Sequence, residues 1–391
     1  MKTNPFVYGK EVSGENFYDR EEDFQSLVTT LAGGAANVVL YAPRRYGKTS
    51  LAKRALGELS RRGFRCIYFD FMRVESVPAF CEAYASSVYA LERGAVRAMR
   101  RIGTALASLR PKFSVGDDGK PTLELDRAVV PTVSTVEGAL DLPEKLADEN
   151  HPIVVAFDEF QEIGTLSPDI PLEGVFRCCI QRHRFVRYLF LGSKTHLIKR
   201  MFGDRTRPFY NSASVHRLDV PAESETTAFV RTRFASVGMR IGDEAVQRIL
   251  SASKGIPYHV QAVSALAFDA VAGAGRKDVD AVVVDAAIAR LVDSKSDLYE
   301  ASVQSLSPAQ RTLLAALARN PVRRFDATYR AAHGLGPSSG VHSALAVLMG
   351  KGLVESTPRG YEIGDPMFAL YLASPAYQLF ARLTLQVKLF H

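Results

Sequence analysis

Short apolar runs rich in β-branched residues punctuate the first half of the chain: Asn37–Tyr41, Arg65–Phe71, Ile153–Asp158, Val186–Gly192 and a shorter one near Ser214–Leu218. Their hydrophobicity is continuous rather than alternating. That predicts strands buried on both faces, hence an α/β fold with a parallel sheet flanked by helices. Helical segments lie between them, such as Ser50–Arg62, which opens on serine and ends before Gly63. The turn-rich stretch Pro111–Asp126 reads as a hairpin insertion, with Asp-Asp-Gly between two alternating runs.

Beyond about residue 219 the period becomes helical. In Asp243–Lys254 the residues Ala245, Val246, Ile249 and Leu250 recur at helical spacing after an expected Asp243 N-cap; Gly255 closes that helix and Pro257 opens the next. Three further helices, Ser307–Asn320, Asp326–His333 and Ser338–Lys351, precede Gly352–Ile363, two short strands around Thr-Pro-Arg-Gly. Three helices followed by a small hairpin predict a winged helix. The expected domains are an α/β core over 1–218, a helical lid over 219–300, and a winged helix with a C-terminal helix over 301–391.

Composition narrows the class. At 391 residues the chain exceeds one typical domain, and 47% hydrophobic residues suffice for a core. No apolar run approaches the roughly 18 residues of a membrane span, and the opening MKTNPFVYGKEVSGENF is polar. A cytoplasmic protein with no membrane contact is expected. Four cysteines, including the adjacent Cys178–Cys179, suit neither a zinc knuckle nor a disulfide framework, and are expected to be buried thiols. The histidines His183, His196, His216 and His259 show no metal-ligand spacing. Residues 301–391 hold nine basic and four acidic side chains, so +5 of the net +7 sits in the last quarter. Double-stranded DNA is a candidate partner for that region; a solvated basic face is the equal alternative.

The strongest chemical signal is VVLYAPRRYGKTSLAKRAL. A buried strand ends at Tyr41, a tight loop follows, and Gly47-Lys48-Thr49-Ser50 opens a helix. Phosphate binding needs this order, because loop N–H groups and the helix N-terminus then converge on the anion. Ala42, Pro43, Arg44, Arg45, Tyr46, Gly47, Lys48, Thr49 and Ser50 are therefore the expected ATP-binding residues. Lys48 would reach the β- and γ-phosphates and Thr49 would ligate Mg²⁺. Ala42 replaces the first glycine of G-x-x-x-x-G-K-[ST], which matters only if that position needs φ > 0.

A second signal, Ile153-Val154-Val155-Ala156-Phe157-Asp158-Glu159, puts two carboxylates at the end of a central strand, where such sheets bind ligands. Asp158 would hold Mg²⁺ and Glu159 would orient and deprotonate the attacking water. Ser193, just after YLFLG, is placed like a polar sensor of the γ-phosphate, or is an ordinary strand-end serine. Arg205 and Arg207 in GDRTRPFYN are candidates for an arginine finger, a partner contact or a solvated loop.

These residues resemble the archaeal-type ATPase family, on the STAND and origin-initiator side of the AAA+-like P-loop proteins. APRRYGKTSL is similar to the family's P-R-R-x-G-K-T-S-L, FDEFQEI to its Walker B, and GSKTHLIKRMFGDRTRPFYNSA to its sensor region. The resemblance of NPFVYGKEVSGENFYDREEDFQSL implies an adenine-side motif with Phe17, Arg20 and Glu21; that of KGIPYHVQ implies Gly255 and Pro257 near the adenine. GYEIGDPMFALYL resembles the close of the family's winged helix. Asn211 stands where relatives often carry a basic residue, which leaves any finger role to Arg207 or Arg205.

Three functions follow as expectations. The lead is a slow, Mg²⁺-dependent ATP-hydrolysing switch coupling nucleotide state to the winged helix. The second is an ATP-regulated DNA-binding protein, initiator-like or transposition-regulator-like. The expected recognition helix Ser338–Lys351 has only His342 and Lys351 as basic residues, which suits phosphate contacts from Arg323, Arg324 and Arg359 better than base readout. The third is a hydrolysis-poor scaffold for a partner protein. A protein partner or a homo-oligomer suits any of them.

Overall fold

A computed structural model of the chain describes residues 3–10, 17, 20–91, 112–115, 121–124, 132–357, 360–374 and 377. It divides into two compact units, Arg20–Asp219 and Met1–Asp19 with Val220–His391.

The first unit is built on a five-stranded sheet of strands β1 (Val38–Tyr41), β2 (Arg65–Asp70), β5 (Ile153–Asp158), β6 (Val186–Gly192) and β7 (Ser214–Arg217), in the order β2-β5-β6-β1-β7. All pairings are parallel. Every residue of β5 is buried, which is what a central strand covered on both faces requires. Strands β3 (Lys112–Val115) and β4 (Pro121–Glu124) form the expected antiparallel hairpin; the Asp-Asp-Gly expected between them lies outside the described residues. The core on one face is aromatic. Phe157 is fully buried, with the rings of Phe71, Tyr84, Phe160, Phe176 and Tyr188 between 5.5 and 5.9 Å away. Edge and tilted ring contacts at this spacing add to the burial of large apolar surface.

The second unit differs from the expected division into lid and winged helix. One hydrophobic core runs from Phe6 to Tyr377 and includes residues of both segments. The helices Glu223–Ser236, Asp243–Ser253, Pro257–Gly273 and Ala281–Asp293 are joined to those at Pro308–Arg319, Ala327–Ala332 and Ser338–Gly350 and to the antiparallel hairpin β10 (Val354–Thr357) and β11 (Gly360–Ile363). A short parallel pair, β8 (Arg240–Ile241) and β9 (Asp278–Val279), ties the helical part together. Lys254 Nζ lies 2.6 Å from Glu362 Oε2, and His259 Nε2 lies 3.5 Å from Asp365 Oδ1, so an ion pair and a further polar contact also link the segments.

The opening residues belong to this unit rather than to the sheet domain in which the expected 1–218 boundary put them. Phe6 is buried against Phe234 at 4.8 Å, the Val7 amide donates to Gln261 Oε1, and Asn4 donates to the Ala265 carbonyl. An apolar anchor flanked by polar clamps holds the segment on the helix Pro257–Gly273. Asp243 is likewise not a cap: Gly242 is the N-cap and Asp243 opens the helix, where its charge suits the N-terminal dipole. All four cysteines are free, and Cys178 is exposed rather than buried. Among the described residues no helix is long and apolar enough to cross a membrane.

Removing the ring at the centre of the aromatic core tests this packing. Phe157→Ala should cost about 3–5 kcal/mol, lowering the melting temperature by about 10 °C in a thermal scan followed by circular dichroism.

Candidate functional site

The sheet order brings the site together. Strand β6 lies between β1 and β5, with Tyr41 opposite Gly192 and Phe157 opposite Phe190. The loop after β1, the Asp158-Glu159 pair after β5 and Ser193 after β6 therefore leave the sheet at one edge. The Ala42 amide donates to the Gly192 carbonyl at 3.3 Å, which fastens the start of the loop to β6.

Left-handed backbone occurs at Arg45 (φ 72°) and Gly47 (φ 90°), while Ala42 has no positive φ. Alanine at the first loop position therefore needs no glycine-like freedom. The conformational cost falls on Arg45 instead, a non-glycine residue in a region that costs about 1–2 kcal/mol. Gly47 is the N-cap of the helix Lys48–Arg61 and no side chain caps that end. Its first N–H groups and the positive end of its dipole are left for an anion.

Lys48 is 6% exposed, and its Nζ donates to the carbonyls of Ala42 at 2.7 Å and Pro43 at 3.0 Å, so the ammonium is bent over the loop it serves. Arg44 and Arg45 are exposed, Pro43, Tyr46 and Thr49 half-buried, and Ser50 buried. Thr49 Oγ1 donates to Asp158 Oδ2 at 2.9 Å, which unites the two residues expected to serve Mg²⁺. A hydroxyl and a carboxylate converging from separate elements are hard oxygen donors of the kind that ion takes, and they fit it.

Glu159 follows with φ 50°. Three donors reach its Oε2: the Ser193 hydroxyl at 2.6 Å, the Ser193 amide at 3.3 Å and the Gln161 amide at 2.5 Å. Burial alone would raise the carboxyl pKa, but these bonds and the nearby Lys48 charge outweigh it and hold Glu159 below its usual value. Glu159 is thus an ionised, oriented carboxylate.

Two members of this arrangement escaped sequence reasoning. Tyr68, on β2, donates its hydroxyl to Asp158 Oδ2. Burial and the Asp158 charge push that phenol well above its usual range, so it stays a donor. Nothing in RCIYFD separates it from an ordinary strand tyrosine, because its partner lies on the neighbouring strand. Gln161, 4% exposed, sits inside FDEFQEI, and its position two residues after Glu159 was the available signal.

Other expected residues are placed differently. Arg20 is buried, with Nη2 donating to the Tyr46 carbonyl at 3.2 Å and Nη1 facing Asp23 at 3.3 Å; it buttresses the phosphate loop from behind. Phe17, Gly255 and Pro257 belong to the second unit. There Lys254 and Gly255 both have positive φ and Pro257 is the first residue of its helix. Arg207 is paired with Glu173, whereas Arg205 is exposed. Asn211 sits just before β7, at the edge of the sheet where the strands begin.

A parallel sheet flanked by helices, with a strand–loop–helix anion cradle beside an Asp-Glu strand end, defines a P-loop ATPase fold. The chain belongs to the family described as "ATPase domain predominantly from Archaea", whose model matches residues 17–263. Residues 297–374 match a probable winged helix domain. No curated protein matches the chain. Among solved structures, a Walker-type ATPase of Pyrococcus abyssi is similar over 95% of this chain and 100% of its own, with a TM-score of 0.65 and 17% identity. The Aeropyrum pernix ORC2 protein, in ADPNP–ADP complexes, aligns over 92% of this chain and 94% of its own (TM-score 0.54, 17% identity). The Aeropyrum pernix ORC1 protein in complex with DNA aligns over 96% and 95% (TM-score 0.51, 14% identity). At these identities the likeness is one of fold.

Ser193→Ala removes the hydroxyl that most lowers the Glu159 pKa. The expected outcome is an acid limb of the pH–rate profile displaced to higher pH, with the rate at neutral pH down about tenfold or more; an unmoved limb would dissociate Ser193 from Glu159.

Proposed function

We propose that the chain is a slow, Mg²⁺-dependent ATPase acting as a nucleotide switch. The observation that carries this is the convergence of Lys48, Thr49, Asp158, Glu159 and Ser193 on the free N-terminus of the helix Lys48–Arg61. The loop Ala42–Ser50 wraps the phosphates. Lys48 exchanges its two loop carbonyls for phosphate oxygens. Thr49 and Asp158 would hold Mg²⁺, which, when bound, neutralises charge on the β- and γ-phosphates. Glu159 is held through Oε2, and its other oxygen takes the proton of the attacking water. Ser193, fixed to Glu159, would report on the γ-phosphate. Phe17, Gly255 and Pro257 are the adenine-side residues that the family resemblance implies. Arg205, exposed, remains the better finger candidate for a neighbouring copy, since Arg207 already has a carboxylate partner.

A second reading has the winged helix contact DNA. Arg323 and Arg324 are exposed, which suits phosphate contacts. The outer face of the helix Ser338–Gly350 presents His342, Ser343, Ala346 and Val347, while Val341, Ala344, Leu345 and Leu348 are buried. That face is small and almost uncharged, so binding by it would be sequence-tolerant, or would serve a protein partner.

ATP hydrolysis measured by phosphate release tests the enzyme. Lys48→Ala should lose both nucleotide binding and turnover. Glu159→Gln should retain ATP binding, followed with a fluorescent analogue, and lose about 10²- to 10⁴-fold in rate. Equal rates for wild type and both variants would exclude this site as the seat of hydrolysis.

A further inference from the structure

At the edge of the sheet opposite the phosphate loop, where β1, β6 and β7 begin, two clefts of about 580 and about 610 Å³ open. They adjoin, because Arg184 and Arg187 line both. Arg177 lines the first and Arg62 the second, and among the described residues the only acidic side chain lining either is Glu149. Arg62 is paired with Glu58 at 2.9 Å. Among the described residues Arg177, Arg184 and Arg187 have no carboxylate partner.

One of these guanidiniums, that of Arg187, is held in place. Arg187 donates through Nη1 to the Arg184 carbonyl at 2.7 Å, and its buried Nε has no acceptor. Its head lies against Gly34, where a Cβ would stand 2.5 Å from both Nε and Nη2, so glycine there makes the seat. Arg184 is exposed and lies 5.8 Å from the Phe185 ring. Glu144 fixes its loop by accepting from the Arg184 and Phe185 amides at 2.8 and 3.1 Å. Positive charge gathered along one edge with few carboxylates beside it favours a bound anion.

We infer that this basic cleft takes the phosphodiester backbone of a nucleic acid, without reading its sequence. Guanidiniums spread along two adjoining open clefts suit a chain of phosphates better than one small anion, since each matches a phosphate with a forked pair of donors. Asn37, Gln181 and Asn211 also line the first cleft and add polar groups of the kind that contact phosphate and sugar. The site lies in the ATPase unit, distinct from the winged helix, and does not depend on hydrolysis.

The test is anisotropy of a fluorescein-labelled duplex with the full chain at about 50 and 200 mM salt. Wild type should bind at the lower salt. Arg177→Gln with Arg184→Gln should weaken binding about tenfold and reduce the slope of log affinity against log salt by about two. An unchanged thermal melt would show that the variant is folded. Arg184→Glu, at an exposed position, should weaken duplex binding by itself while phosphate release from ATP stays at the wild-type rate, which separates this site from ATP hydrolysis. Arg323→Gln with Arg324→Gln should leave the effect of the cleft substitutions intact. Unaltered affinity and slope in the cleft variants would overturn the inference. So would binding of inorganic phosphate or an acidic peptide with no binding of duplex.

Discussion

Strand β6 is hydrogen-bonded to β1 on one side and β5 on the other, and all three run parallel. Parallel strands deliver their C-terminal ends to one edge, so three chain segments far apart in sequence must emerge together. Lys48, Asp158 and Ser193 become neighbours through that constraint, and the bonds among Thr49, Asp158, Glu159 and Ser193 are its consequence. The aromatic packing around Phe157 and Phe160, both fully buried, brackets Asp158 and Glu159 in the chain. Burial of the two flanking rings fixes the backbone from which both carboxylates project.

Backbone strain occurs at the same edge. Arg45 and Glu159 both adopt the left-handed region without being glycine. Such conformations cost about 1–3 kcal/mol each and persist where the surroundings enforce them. For Glu159 the enforcing contacts are visible: Ser193 supplies a hydroxyl and an amide, and Gln161 supplies its side-chain amide. At Arg45 the turn itself is the cause, since the chain must reverse between the buried strand β1 and the helix that starts at Lys48. The arginine side chain is exposed there and the backbone carries the function.

The second unit follows a different logic. Its parts are joined by one apolar core and by buried or half-buried charged pairs, such as Lys254 with Glu362. A winged helix that shares its core with the preceding helices cannot be treated as an appended module. The opening residues join that core through Phe6 although more than two hundred residues separate them from it in sequence.

Elements with a strong local pattern were legible in the sequence. β5 and β6 have the bounds that their apolar runs implied, and the winged-helix helices end within a residue or two of their expected limits. The Ala42–Ser50 loop could be read because phosphate binding constrains consecutive residues. Ala42 looked like the weak point only because a one-dimensional pattern cannot say which loop position has positive φ. Tyr68, Gln161, the Arg20 buttress and the placement of residues 3–10 were decided by tertiary structure. Each depends on which strand or helix lies beside which, and that is set by long-range packing of the sheet and cores. Local spacing along the chain determined the elements and the phosphate loop; the neighbours that hold the carboxylates in place existed only once the strands had been ordered.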